Sequence, residues 1–322
     1  MANVIDDTID FSAYELETEP QQKVRPAASY VQEMVDRLSS VGTEKQALLP
    51  WDKTHGLVQF RPGEVTLWAG VNGQGKSLIT GLTALSLCTQ GEKVCIASFE
   101  MKPRKTLERM MRQWSGQAAP SAHEVADPEV YATFKDLYEQ FGAWTDKHLW
   151  LYDQQGTVKA QTLIGVIRYC AKVLGITHFF IDSLMKCVAG EDDYNGQKAF
   201  VDELTAIARD YAMHIHLVHH IRKLTTDEAQ PDKTDVKGTG AITDQIDNLL
   251  LMWRNKRKER DQQAGKKISH EEPDAMLICE KQRNGEWEGR IGLFYERDSQ
   301  QFVASSGAAP LNFYGGFPHR NT

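Results

Sequence analysis

Gly70-Val-Asn72-Gly73-Gln74-Gly75-Lys76-Ser77 has the spacing G-x-x-x-x-G-K-S, a pattern suited to gripping a polyphosphate. Its glycines let the main chain wrap phosphate oxygens, while N–H groups at the start of a following helix face the anion. Lys76 supplies positive charge and the Ser77 hydroxyl a ligand for Mg²⁺. Asn72, Gly73, Gln74 and Leu78 complete the stretch expected around the nucleotide, ATP or another NTP. Such a site also needs a carboxylate to organise the metal and a group to orient water. Thr177-His-Phe-Phe-Ile-Asp182 is a hydrophobic strand ending in an acid, where open α/β sheets place ligands. Asp182 is the expected metal-linked carboxylate, with a helix-capping Asp as the plain alternative. Glu100, in Ile96-Ala-Ser-Phe-Glu100-Met101, ends the strand after the phosphate-loop helix and is the expected base. A strand-end surface glutamate is the competing reading.

The elements that must position these groups alternate from about residue 46 to 305. Apolar runs predict strands at 65–69, 93–99, 148–152, 177–181, 214–218 and 249–253, with helices at 76–88, 104–114, 160–174 and 197–211. Three more strands, 274–280, 288–294 and 301–304, read as antiparallel. The expected fold is α/β, a mostly parallel sheet flanked by helices with antiparallel strands at the C-terminal edge. Residues 1–45 form an acidic, flexible segment holding one short amphipathic helix (about 29–40), with Tyr30, Val31, Met34, Val35 and Leu38 on its apolar stripe. That helix is either a strut on its own domain or a device for docking on a neighbouring subunit. Residues 306–322, Gly-rich with Phe313-Tyr-Gly-Gly-Phe317, read as a flexible tail.

Composition is that of an ordinary globular chain of 322 residues, 41% hydrophobic and 25% charged. The formal net charge is −7, but six acids and no Lys or Arg fall in the first 20 residues, so the remainder carries 37 basic against 38 acidic residues. The overall sign therefore neither requires nor excludes a polyanionic partner. The five cysteines show no C-x-x-C pairing, which argues against zinc or a disulfide framework. His214, His216 and His219 lie close together, but 214 and 216 share a strand face while 219 and 220 fall past the expected strand, which disfavours a metal cluster. No apolar run is long enough for a membrane span, and the acidic start is unlike a signal peptide, so a cytoplasmic location is expected.

Phe99-Glu100-Met101, followed by a helix rich in Met and Arg, resembles the corresponding segment of the DnaB-like hexameric replicative helicases. The resemblance continues in order across roughly residues 46–305. His219-His220-Ile221-Arg222-Lys223 is similar to the family's phosphate-sensing histidine motif, with His220 the best match. The stretch Thr234-Asp-Val-Lys237-Gly238-Thr239-Gly240-Ala-Ile242 resembles its channel-facing DNA loop, and Glu280-Lys281-Gln282-Arg283-Asn284-Gly285 its trans-acting arginine segment. Without the family these are a strand-end histidine, a flexible loop and a surface arginine on a hairpin. With it, the resemblance implies a RecA-like motor. Its implied DNA contacts are Lys237, Gly238, Thr239 and Gly240, Arg283 is delivered to a neighbour's nucleotide, and Lys281 beside it is an implied nucleotide contact. It further implies a hexamer acting on single-stranded DNA, with a polymerase, primase or single-strand-binding protein as further partners; the style of the sequence suggests a phage or plasmid replication protein in a bacterial host. Because only about 45 residues precede the motor, no primase activity is expected from this chain. Two rivals share the core: a strand-exchange recombinase or filament ATPase, and a ring ATPase acting as a protein-binding switch.

Overall fold

The computed structural model describes residues 3–5, 9–14, 27–31, 34–35, 46–190, 192–226, 228–237 and 240–313. Its centre is a ten-stranded sheet in the order β1-β6-β5-β7-β8-β4-β9-β10-β11-β12. Six strands carry the parallel core: β4 (Val65–Gly70), β5 (Val94–Ser98), β6 (Leu149–Tyr152), β7 (His178–Asp182), β8 (His214–His220) and β9 (Asn248–Arg254). β10 (Ala275–Gln282), β11 (Gly289–Glu296) and β12 (Gln301–Val303) then run antiparallel along one edge, as the sequence predicts. Short β2 (Ala47–Leu48) and β3 (Gln59–Phe60) form a separate hairpin.

Every residue of β4 is buried, because both faces of the sheet are covered. Helices α1 (Lys76–Thr89), α2 (Pro103–Ser115) and α3 (Pro128–Thr145) lie on one side. Their Ile79, Leu82, Met110, Trp114 and Phe141 pack with Trp68 of β4. On the other side α4 (Ala160–Tyr169), α5 (Tyr194–Asp210) and α6 (Gly240–Gln245) bring Leu163, Ile167, Phe200, Leu204 and Ile242 against Leu67 and Ala69. Alternate β4 side chains therefore feed two different cores, the signature of a buried parallel strand. A further helix, α7 (Lys256–Gln263), follows β9. No helix among the described residues is long and apolar enough to cross a membrane, and all five cysteines are free and buried.

The structure departs from the sequence expectations at both ends of the chain and within one helix. The first departure lies within the segment expected to be flexible: Asn3–Ile5 (β1) pairs parallel with Trp150–Tyr152 of β6. Phe11, 7% exposed, meets Tyr152 and Tyr169 edge to face at 6.4 and 5.7 Å. Arg168 Nη1 also donates to Tyr14 O at 3.1 Å. An aromatic anchor and a ladder edge thus hold a segment whose acidic composition hides them. Phe11→Ala should cost the docking of this segment about 3 kcal/mol, read as faster amide exchange at residues 3–5; unchanged exchange there would refute the anchoring role.

Second, Val31, Met34 and Val35 are 54%, 65% and 50% exposed, so the apolar stripe does not pack on its own domain as a strut. Residues 36–40 of that expected helix lie outside the described residues. Third, the expected helix 160–174 changes pitch, becoming a π turn over Cys170–Leu174. Fourth, the expected tail begins packed. Phe313 is buried in the α1–α3 core, and Gln301 exchanges hydrogen bonds with Leu311 at 2.7 and 2.8 Å. Residues 314–322 lie outside the described residues.

Candidate functional site

β4 delivers the chain into the phosphate loop and α1 leaves from it. Gly70 is forced by packing: a Cβ there would stand 2.7 Å from Met252 O on neighbouring β9. Gly75 sits at φ 91°, in left-handed space that a side chain disfavours, immediately before α1. Lys76 Nζ donates to Gly70 O (2.8 Å) and Val71 O (3.1 Å). These contacts curl it over the loop, where an anion would take their place.

Asp182 ends β7 two strands from β4, and its Oδ2 accepts a hydrogen bond from Ser77 Oγ at 2.7 Å. Residues 105 apart in sequence are thus brought together as the expected metal pair. The pairing Ser98↔Asp182 sets β5 beside β7, and the Phe99 N–H donates to Asp182 O at 2.9 Å. Glu100 therefore leaves β5 next to Asp182, exposed on the cleft side, and Ser183 Oγ donates to its Oε1 at 3.5 Å. Asn72, Gly73, Gly75, Lys76, Ser77, Leu78, Glu100, Asp182 and His220 share one open cleft of about 490 Å³. Gln74 is buried and lies outside that lining.

A serine hydroxyl paired to a half-screened carboxylate at a glycine loop fits Mg²⁺ on a polyphosphate. Burial pushes the Asp182 carboxyl up, with Glu100 adding to this, while the Ser77 hydrogen bond, Lys76 and Arg109 pull it down. A divalent cation would settle that group in its charged form. Burial brings the Lys76 ammonium down to about 8, against the opposing pull of Asp182 and Glu100. Bound phosphate favours the charged lysine, so nucleotide binding should take up a proton once the free site has lost one. Affinity should be flat from about pH 6.5 to 7.5 and weaken towards tenfold per unit above about pH 8. Calorimetry in buffers of different ionisation heat would check this; affinity constant up to about pH 9.5 would contradict it.

Two cleft residues escaped the sequence analysis. Arg109 of α2 and Arg254 at the end of β9 both line the cleft, and Arg254 Nη1 donates to Gly73 O at 3.5 Å. The available signal for Arg109 was the helical spacing that puts it beside Thr106 and Met110, both buried on the inner side of α2.

His220 lies in register with Gly70 across the β4–β8 pair, so β8 is longer than expected and includes both His219 and His220. The Lys237 N–H donates to His220 O (3.2 Å), and His219 Nε2 lies 2.9 Å from Lys237 O. Ile221 bridges Val236. The stem of the expected DNA loop is thereby stitched to the strand beside the phosphate loop. Gly238 and Thr239 lie outside the described residues; Gly240 opens α6. Among the described residues no group of three His, Cys, Asp or Glu could hold a metal. His214 and His216 are buried instead in a stacked cluster with His178 and Phe180.

Lys281 and Arg283 are not in the cleft. The Arg283 N–H donates to Asp247 O (2.8 Å), and Asp247 pairs with Val65 through the Val65 N–H to Oδ2 (2.9 Å) and the Asp247 N–H to Val65 O (3.0 Å). Arg283 therefore stands at the start of β4, while the phosphate loop is at its end. A six-residue strand separates the two by roughly 17 Å. Arg283 is paired with Asp247 at 3.4 Å. Lys281 Nζ donates to the carbonyls of Thr243, Asp244 and Ile246 at 2.8, 3.0 and 2.8 Å. The expected contact of Lys281 with nucleotide is accordingly not made within one chain.

The fold and cleft together define a RecA-like α/β core built round a phosphate loop. The chain belongs to the DnaB-like helicase family: the DnaB-like helicase C terminal domain matches residues 52–304. Among solved structures it is similar to one described as an ATPase domain, with TM-score 0.71 and 14% identity over 87% of this chain and 99% of that one. It is also similar to a DnaB-like replicative helicase described with its interactions with primase, with TM-score 0.67 and 15% identity over 87% of this chain and 67% of that one.

Proposed function

We propose that this chain is an ATP-driven replicative DNA helicase that works as a ring, hydrolysing Mg²⁺-nucleotide at the contacts between protomers. One observation carries the reading: Lys76, Ser77, Asp182 and Glu100 gather at one end of the sheet, while Arg283 stands at the other end of the same strand. The cleft so built offers a phosphate grip, a metal pair and a base; Arg109 and Arg254 already line it, but Arg283, the finger arginine of this reading, is out of reach of its own cleft and would come from a second copy. In this reading Lys76 and the loop amides bind the β- and γ-phosphates, and Ser77 with Asp182 holds Mg²⁺, which screens the phosphate charge. Glu100 orients the attacking water and accepts its proton, and the neighbour's Arg283 neutralises charge on the transferred phosphoryl group.

His220 sits between the cleft and Lys237 and so passes the state of the γ-phosphate to the DNA loop. Single-stranded DNA would be held mainly through its phosphates, without sequence preference and weakening with salt. The test combines particle mass with and without nucleotide and single-stranded DNA with unwinding of a forked duplex. A closed hexamer that unwinds the fork is the expected result. A lone protomer, helical filaments, or an ATPase indifferent to DNA would overturn the proposal.

A further inference from the structure

Residues 237–246 are fastened at opposite ends of the parallel sheet. At the phosphate-loop end Lys237 is bonded to His219 and His220. Ile242 of α6 and Ile246 just after it are buried, and the end of α6 lies beside β10. There the ammonium of Lys281 donates to the carbonyls of Thr243 and Asp244 in the last turn and of Ile246 just past it. Arg283 Nη2 adds the carbonyls of Asp244 (2.8 Å) and Gln245 (3.3 Å). Last-turn carbonyls have no partner inside a helix, and a helix of six residues does not hold itself together. Lys281 and Arg283 cap the end of α6, beside the buried Ile242 and Ile246.

An irregularity in β10 delivers them. Leu277 and Cys279 face the α1–α3 core, while Ile278 faces the α4–α6 core. Strict alternation would send Lys281 the same way as Cys279. Instead the register shifts, Cys279 opposing Leu250 and Lys281 opposing Leu249, so Glu280 is an extra residue. Such a bulge re-aims the side chains that follow it. Lys281 and Arg283 are turned onto α6, and Gln282 onto Leu57 and Trp287.

We propose that Lys281 is a positioning residue for the DNA segment: it holds the C-terminal turn of α6 in one placement and releases it when β10 engages the nucleotide of the adjoining protomer. The exchange rests on the reading of Arg283 as trans-acting. An ammonium has three donors, and here all three are spent on neutral carbonyls; a phosphate, being charged, competes successfully for them. The two bound states of β10 are then two placements of α6. The DNA segment is suspended between its own nucleotide, through His220, and its neighbour's, through Lys281. By linkage, DNA affinity and nucleotide state at that contact move together.

Lys281→Met removes the ammonium and keeps the aliphatic stem; Lys281→Arg keeps a cation. The readout is the ratio of affinities for labelled oligo-dT in Mg-ATPγS and in Mg-ADP, measured by anisotropy on the full chain. The wild type is expected to give a ratio of about tenfold or more, Lys281→Met less than about threefold, and Lys281→Arg a ratio nearer the wild type. A Lys281→Met ratio equal to the wild type overturns the proposal, as does a wild-type ratio near one. Amide exchange at residues 240–246 without nucleotide should quicken about tenfold in Lys281→Met; an unchanged rate also overturns it. Mixing with Arg283→Ala chains reads the trans-acting role separately. Mixtures that merely average overturn that role and the exchange with it, whereas poisoned mixtures with an unchanged Lys281→Met ratio overturn this proposal alone.

Discussion

Glu100→Gln should hold Mg-nucleotide and assemble within about threefold of the wild type while turnover falls by about three orders of magnitude, the range expected for losing a positioned base. The amide keeps the shape of the carboxylate and the contact with Ser183 Oγ but cannot accept a proton from water. The neighbouring acid is not expected to substitute for it, because Asp182 is engaged by Ser77 at 2.7 Å and in the proposed reading would be a ligand of the metal. Binding by fluorescent nucleotide and turnover by phosphate release separate the two effects. Turnover above about a tenth of the wild type would remove Glu100 as the base.

Arg283→Ala is expected to lower turnover by about 10³-fold or more, as loss of a transition-state guanidinium does, with each chain still binding nucleotide through its own Lys76 and Ser77. The decisive result comes from mixing. If hydrolysis passes round a six-membered ring and one dead contact stops it, rings drawn from one-third mutant and two-thirds wild-type chains retain about a tenth of full activity rather than two-thirds. Within one chain the guanidinium is bound to Asp247 and the carbonyls of Asp244 and Gln245. The mutant could therefore also loosen α6. A mixing curve distinguishes the cases, because a defect confined to each chain gives a straight line.

The reactive end of the molecule was legible in the sequence because each of its parts is local. Gly70 to Ser77 is one contiguous loop, and Glu100 and Asp182 each announce themselves as acids closing an apolar run. Their convergence needed only the rule that parallel strands present ligands at their C-terminal ends. Features set by pairing between distant segments were not legible. The strand Asn3–Ile5 is three residues long in acidic surroundings and owes its place to β6 and to Phe11. Helix α3 buries only Phe141 and Thr145, too little to mark a periodic stripe. The extra residue Glu280 is invisible in the pattern of β10, yet it decides that Lys281 faces α6. The resemblance thus placed Lys281 at a nucleotide, where the single chain shows it bonded to carbonyls.

Specific turnover as a function of protein concentration, with and without single-stranded oligonucleotide, is the most direct test of the claim that the cleft of one chain is completed by Arg283 of another. The account predicts that activity per chain vanishes on dilution as rings dissociate, recovers with concentration, and rises when the oligonucleotide is present. Full activity from separated chains, unaffected by dilution or by DNA, would contradict it.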